Sequence, residues 1–272
     1  MPELPEVETT ISELKPEVEG KRITRVEIFS EKQVATPPVE EFIQGLVGRM
    51  ITGLERRGKY LIFRLDDGKV LIIHLRMTGS LLIKPKDETP EKAIRAMIFL
   101  DNGKAIHFRD IRRFGRMWLV NDESAVVGKL GPEPLDPEFT PELLKSIING
   151  RRTPIKSLLM DQSLIAGIGN MYADEALFYA RIHPLQPANS LTAEEIQRLH
   201  AAIREVLRLG IQNRGASTDT YIRPAGIKGG AQLEFRVAHQ KGKACPVCGG
   251  PIERIVVQQR GTFFCPRCQR LN

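Results

Sequence analysis

Four cysteines carry the most specific chemistry in this chain. They stand as Cys245-x-x-Cys248 and Cys265-x-x-Cys268, and there are no others. Two Cys-x-x-Cys pairs at this separation match the pattern that holds a tetrahedral zinc ion through four thiolates. Four thiolates complete the coordination and leave no open position, so such an ion is structural rather than catalytic. Two redox pairs, or four unbound thiols, fit the spacing less well. A secreted, disulfide-stapled protein rarely confines its cysteines to one terminal patch, so a reducing compartment is expected. The same segment is basic: Lys241, Lys243, Arg254, Arg260, Arg267 and Arg270 stand against the single acid Glu253. Arg260-Gly261 falls between two β-type runs, where a hairpin tip would offer an arginine to a groove.

A second cluster lies at the other end, in MPELPEVETT. Removal of Met1 is expected before a small residue and would free the secondary amine of Pro2. An α-amino group titrates near ~7.7–8.0, so a useful neutral fraction exists at physiological pH. A neutral amine attacks an aldehydic sugar carbon and forms an iminium. Glu3 and Glu6 lie close enough in sequence to move protons for that chemistry. The same acids also suit the positive end of a helix dipole. The 272 residues carry a net charge of +7, which favours a polyanionic partner without demanding one.

These residues need elements to position them. Residues 1–20 read as a helix, with Val7, Ile11 and Leu14 at helical spacing and Pro16 and Gly20 as breakers. From Ile23 to Val120 the chain becomes short β-type runs, among them YLIFRL, VLIIHLRM and AIHF. Turn signals such as Asp66-Asp67-Gly68 and Asp101-Asn102-Gly103 divide them, as in a sandwich or barrel. Residues 131–141 are rich in proline and acid and read as a connection. Helical patterns follow. Thr192 and Glu195 form a capping box ahead of an apolar face built from Ile196, Leu199, Ile203 and Val206 or Leu207. Residues 213–243 are glycine-rich and polar, without a clear period. With 42% hydrophobic and 27% charged residues, no secretion signal and no long apolar run, a soluble cytoplasmic protein is expected.

PELPEVET, RRGKYL at 56–61, HLRMTG at 74–79, DIRRFG at 110–115, GIGNMYADE at 167–175 and QRGTFFCPRC at 259–268 together resemble the formamidopyrimidine-DNA glycosylase family. The motifs run in the family's order from residue 2 to residue 268. The resemblance implies a multidomain α+β fold: an N-terminal helix plus β-sandwich (1–130), a helix-two-turns-helix domain with a lesion-capping loop (131–237) and a four-cysteine zinc finger (238–272). It implies a bacterial base-excision-repair enzyme that binds double-stranded DNA containing a damaged base; with no extra apolar stripe in the sequence, a monomer is expected. The implied activity is excision of oxidised purines followed by cleavage of the abasic site. One structural Zn2+ is the implied cofactor.

The resemblance also assigns roles. Pro2 is the nucleophile at the sugar C1′, Glu3 the acid/base carboxylate and Glu6 its supporting carboxylate. Lys59 is a catalytic lysine near the lesion, although a lysine among arginines ordinarily marks a solvated face. Met77, Arg112 and Phe114 prop the duplex open while the damaged nucleotide is flipped out. From periodicity alone Met77 and Phe114 would be core residues. His74, Lys156, Asn170 and Arg260 match positions that contact phosphates. Glu175 is expected to orient its local turn, and Tyr172 to be either a contact or core.

The glycine-rich segment departs most from the family pattern. The chain reads Arg214-Gly215-Ala216-Ser217-Thr218 where relatives commonly carry two glycines before Ser-Thr. Asp219 stands where a basic residue is frequent, Ala231 replaces an aromatic residue, and Ala238-His239 replaces a Tyr-Gly pair. These changes leave the chemistry alone and put lesion preference in question. Two other readings stay open. One is the same chemistry on oxidised pyrimidines, as in the endonuclease VIII branch; Leu4, the Met77/Arg112/Phe114 set and Lys156 favour purines. The other is a non-catalytic zinc-ribbon protein that only binds damage, which the presence of Pro2 and Glu3 disfavours.

Overall fold

The computed structural model describes residues 1–271, which fall into two compact units. The first unit comprises Met1–Lys129 together with Asn213–Gly230. It contains α1 (Leu4–Val18), β1 (Ile23–Ile28), β2 (Val34–Thr36), α2 (Val39–Leu46), β3 (Ile51–Arg57), β4 (Tyr60–Leu65), β5 (Val70–His74), β6 (Gly79–Pro85), β7 (Ile94–Leu100), β8 (Lys104–Asp110), β9 (Arg116–Val120) and the short α3 (Ser124–Val127).

The strands form two sheets, ordered β1-β7-β8-β6 and β2-β9-β5-β4-β3. Their pairings are antiparallel except β2 with β9. Buried residues of both sheets, among them Leu61, Phe63, Ile73, Ile98 and Phe108, share one core with Val7, Ile11 and Leu14 of α1. Of the sandwich or barrel that the strand spacing implied, this is the sandwich, with the helix read over residues 1–20 packed on its core. The turn glycines Gly68 and Gly103 have φ of 83° and 80°, the left-handed region that tight hairpins require. Pro16 does not break α1 as its position suggests. It lies inside the last turn, and the helix runs on to Val18, which is fully buried. Gly20, with φ of 73°, ends it by donating its amide to the Ile51 carbonyl.

The second unit comprises Leu130–Gln212 and the residues from Ala231 on. It holds α4 (Pro141–Ile148), α5 (Ile155–Met160), α6 (Asn170–Ala180), α7 (Ala193–Gln212) and the antiparallel pair β10 (Glu253–Val257) and β11 (Arg260–Phe264). The capping box of α7 is formed: Glu195 N donates to Thr192 Oγ1 at 3.2 Å, and Thr192 N to Glu195 Oε2 at 2.9 Å. Ile196, Leu199, Ile203, Val206 and Leu207 are buried. The proline-rich connection before α4 is not loose. The Arg204 guanidinium of α7 donates to the carbonyls of Pro134, Leu135 and Asp136, and the ring of Phe139 stacks on His200.

The expected helical span 131–237 does not pack as one unit. Residues 213–230 pack with the first unit, while the turn 236–238 and the cysteine segment belong to the second. The reason is hydrogen bonding that composition does not report. Ala216 N donates to Glu6 Oε1 (2.7 Å), the Tyr221 hydroxyl to the Glu6 carbonyl (3.0 Å) and Arg223 to Glu13 (2.8 Å). Ile83 N of β6 donates to the Pro224 carbonyl.

Candidate active site and nucleic-acid interface

In the first unit, Pro2 and Glu3 precede α1 directly, and both are buried. Glu3 is the N-cap residue. Its amide donates to Glu6 Oε2 at 2.7 Å, while Glu6 Oε1 takes the Ala216 amide at the same distance. Glu6 is therefore the hub that fixes the backbone entering the helix. Its own burial, 1% exposed, is sustained by these two N–H donors. Glu8 Oε2 receives the Arg56 Nε at 2.7 Å and so ties α1 to β3.

Lys59 occupies the tight turn between β3 and β4, beside Gly58 with φ of 56°. It is 6% exposed, so the reading of a solvated lysine fails. The next residue, Tyr60, pairs in register with His74 at the end of β5, and their rings meet edge to face at 4.5 Å. Burial, with Arg76 and Lys59 adding positive charge, pushes the His74 imidazole down to about 3. His74 Nδ1 accepts the Arg76 amide at 2.9 Å, so the single ring proton sits on Nε2. A neutral imidazole with a fixed Nε2–H is a donor suited to a phosphate oxygen.

Met77 and the pair Arg112 and Phe114 lie on two loops that leave the same end of the β6–β8 pairing, where Gly79 is opposite Asp110. Phe114 is 44% exposed and Met77 half-buried, so neither is a core residue. The Arg112 guanidinium stands 4.8 Å above the Phe114 ring. An exposed aromatic ring, an arginine over it and a thioether on the neighbouring loop have the chemistry of an apolar wedge with a hydrogen-bonding edge.

In the second unit the four sulfurs converge. Cys245 Sγ and Cys268 Sγ are 3.8 Å apart, Cys248 Sγ and Cys265 Sγ 3.5 Å, and all four lie within 4.8 Å of one another. A disulfide needs about 2.05 Å. Four sulfurs at about 2.3 Å from one tetrahedral ion would lie close to these separations, so the cluster fits a metal such as zinc. Burial pushes the Cys265 and Cys268 thiols up, and a bound cation would reverse that.

Between β10 and β11, Gln258 and Gln259 both have positive φ (44° and 61°) and make the two-residue turn. The tip is therefore two residues earlier than Arg260-Gly261, and Arg260, exposed, opens β11. Asn170 begins α6, and its Nδ2 donates to the Gly261 carbonyl at 2.9 Å.

Lys156 is placed otherwise than expected. Its side chain has no exposed surface. Its Nζ lies 2.7 Å from Asp174 Oδ1 and 2.7 Å from Thr262 Oγ1. Asp174 Oδ2 takes the Phe263 amide at 3.0 Å. Here the ammonium serves an internal ion pair that holds β11, and Arg260 rather than Lys156 faces outward. Burial pushes the Asp174 carboxyl up while the adjacent Lys156 ammonium opposes the shift. Nothing in the one-dimensional spacing of Lys156 and Asp174 separates this pair from two surface charges.

Glu175 does not orient a turn near its own helix, as its position suggests. Its carboxylate instead collects the amides of Arg236, Val237 and Ala238 at 2.8–3.0 Å. Tyr172 is core: it is 1% exposed and meets the Phe235 ring edge to face, and a Cβ at Gly210 would come within 2.6 Å of it.

Comparison with known proteins agrees along the whole chain. The profile of the formamidopyrimidine-DNA glycosylase N-terminal domain matches residues 1–117, that of its H2TH domain 130–221, and that of a zinc finger found in FPG and IleRS 242–271. Formamidopyrimidine-DNA glycosylase of Symbiobacterium thermophilum is 46% identical over 99% of this chain and 89% of its own length. The enzyme of that name from Roseiflexus sp. is 45% identical over 99% and 100%. The crystal structure of MutM (Fpg) from Thermus thermophilus superposes with a TM-score of 0.91 at 41% identity, covering both chains fully. A Lactococcus lactis FPG mutant in complex with Fapy-dG-containing DNA gives 0.93 at 37%, over 99% and 100% of the two chains. With its helix-fronted sandwich, its H2TH helices and its four-cysteine finger, the chain belongs to the formamidopyrimidine-DNA glycosylase family of DNA-repair, DNA-binding glycosylases.

Proposed function

We propose that this chain excises oxidised purines such as 8-oxoguanine and formamidopyrimidines from duplex DNA and then cleaves the abasic site, through a Schiff base on Pro2. Once Met1 is removed, the neutral Pro2 nitrogen attacks C1′. The glycosidic electron pair leaves with the base, and the sugar ring opens to an iminium. Glu3 moves protons at the sugar. Loss of a C2′ proton then expels the 3′ phosphate, and a second elimination expels the 5′ phosphate. The buried Lys59 ammonium stabilises the negative charge that develops. His74 Nε2, Asn170 and Arg260 hold phosphates, and Met77, Arg112 and Phe114 fill the space the flipped nucleotide vacates. One zinc ion held by Cys245, Cys248, Cys265 and Cys268 keeps the β10–β11 hairpin folded. The protein acts as a monomer in the bacterial cytoplasm.

The observation that carries this reading is the buried Pro2-Glu3 pair at the mouth of α1, fixed by Glu6. The related Lactococcus lactis structures with Fapy-dG DNA and abasic-site DNA support the substrate class. Borohydride trapping on a duplex with one 8-oxoguanine opposite cytosine tests it. A covalent adduct at Pro2, and strand cleavage without borohydride, is the expected result. An adduct formed only with thymine glycol would move the substrate to oxidised pyrimidines. No adduct on either lesion or on an abasic site would leave a binding protein.

A further inference from the structure

Resting on the reading that Met77, Arg112 and Phe114 open the duplex, we infer that Asp110 and Thr78 are a buried positioning pair that sets the two wedge loops against each other. The carboxylate of Asp110 is fully buried at the last residue of β8, and Thr78 is 4% exposed at the residue before β6. One oxygen of Asp110 accepts the Thr78 hydroxyl, and the other accepts the Gly115 amide at 2.8 Å. Thr78 Oγ1 in turn accepts the Arg112 amide at 3.0 Å. The connection therefore leaves the Arg112–Phe114 loop at Gly115, crosses through Asp110 and Thr78 to the Met77 loop, and returns to the first loop at Arg112. Asp110 is held from behind: its carbonyl receives the Arg95 Nε at 2.7 Å, and its amide donates to the Ala93 carbonyl at 2.9 Å.

The loops need such a tie. Arg76, next to Met77, and Arg113, between Arg112 and Phe114, both sit in the left-handed region with φ of 55° and 59°. Side-chain-bearing residues hold that conformation only where the surroundings over-determine it. Gly115 completes the tie because a Cβ there would lie 2.3 Å from the Phe108 ring, so the amide given to Asp110 belongs to a residue that must be glycine. Arg112 and Phe114 are exposed while the side chains of Asp110 and Thr78 are buried, which separates presentation from support. Asp110 and Thr78 are positioning residues and touch no reacting atom.

The test compares Thr78→Val, which keeps shape and removes the hydroxyl, with Thr78→Ser, which keeps the hydroxyl, and uses Phe114→Ala as reference. Two readouts are taken: the fluorescence of 2-aminopurine beside the lesion's partner base, which reports unstacking, and cleavage of an abasic site in single-stranded DNA, which needs no wedge. Thr78→Val should lose the unstacking signal and slow single-turnover excision in duplex DNA about tenfold, the equivalent of one lost hydrogen bond. It should cleave the single strand as the parent does, and Thr78→Ser should restore both duplex readouts. If Thr78→Val fails to fold, Asp110→Asn, which keeps the volume and one oxygen acceptor, is read in the same way. Normal unstacking by Thr78→Val, or an equal loss on single-stranded DNA, overturns the inference. Loss by Phe114→Ala without loss by Thr78→Val sinks the positioning pair alone. Normal unstacking by Phe114→Ala sinks the wedge reading beneath it.

Discussion

Two hairpins in this protein each present a cation, and they are held by different means. The β3–β4 hairpin carries Lys59 inside a five-stranded sheet, with Leu54, Leu61 and Phe63 fully buried beneath it. The β10–β11 hairpin carries Arg260 on a sheet of two strands, with most of β10 exposed. A lone two-stranded hairpin is marginal in water. It is held here by the four-cysteine cluster below it and by Lys156, Asp174 and Asn170 along β11. Where hydrophobic burial is scarce, buried charge and a metal-binding cluster take its place; where burial is ample, the packed sheet supports the turn that carries the cation.

Breaking the metal cluster should separate the two hairpins most. Cys245→Ser, or chelation, removes a contribution that in zinc fingers amounts to about 10–16 kcal/mol of folding free energy. Amide-exchange protection of 253–264 and specific DNA binding should vanish while protection of β3–β5 stays; retained protection at the finger would show that the metal is dispensable. The next largest effect is expected from Lys156→Met, which leaves a buried carboxylate unpaired at a cost of about 3–5 kcal/mol. Denaturant unfolding should show most of that loss recovered in the double variant Lys156→Met/Asp174→Leu. No recovery would mean that the pair is not the main tie.

The sheet-held hairpin offers a subtler probe. His74 has a folded value depressed from 6.5 to about 3. Between those limits the unfolded chain binds a proton that the folded chain does not, so stability is present above pH 6.5 and falls as pH drops. The slope is at most about 1.4 kcal/mol per pH unit. The stability advantage of the parent over His74→Gln should shrink from pH 7 to pH 5; an unchanged difference would mean that His74 charges freely. The smallest effect belongs to Arg260→Ala. Exposed Arg260 should contribute little to folding, and the variant should lower the salt slope of DNA binding by about 0.9, one phosphate contact. An unchanged slope would remove Arg260 from the interface.

What could be read in advance divides along similar lines. The strands, the capping box of α7 and the cysteine cluster were legible because turn residues, apolar period and ligand spacing are local signals. Pro2, Glu3 and Arg260 suggested chemistry by type and position, but those types equally describe a helix start or a charged surface, and Lys59 could be picked out only through a family motif. The Lys156–Asp174 pair, the capture of three amides by Glu175 and the docking of 213–230 on α1 were not legible. Each depends on which buried polar atom meets which, across 18 to more than 200 positions of chain, and no composition or period encodes that. Pro16 shows the converse, a strong local breaker overridden by the buried apolar stripe on either side of it.

The return of 213–230 to α1 bears on how this chain can be divided. Its motifs read as three consecutive cassettes, which invites cutting the gene near residue 130. Such a fragment would keep all nine strands of the sandwich and lose the Ala216 amide that Glu6 holds. The carboxylate that anchors the start of α1 thus depends on an amide encoded some two hundred codons downstream. The chain is modular as text but not as a folded part: a truncated or shuffled N-terminal cassette would inherit Pro2 and Glu3 without the anchor that completes their seat.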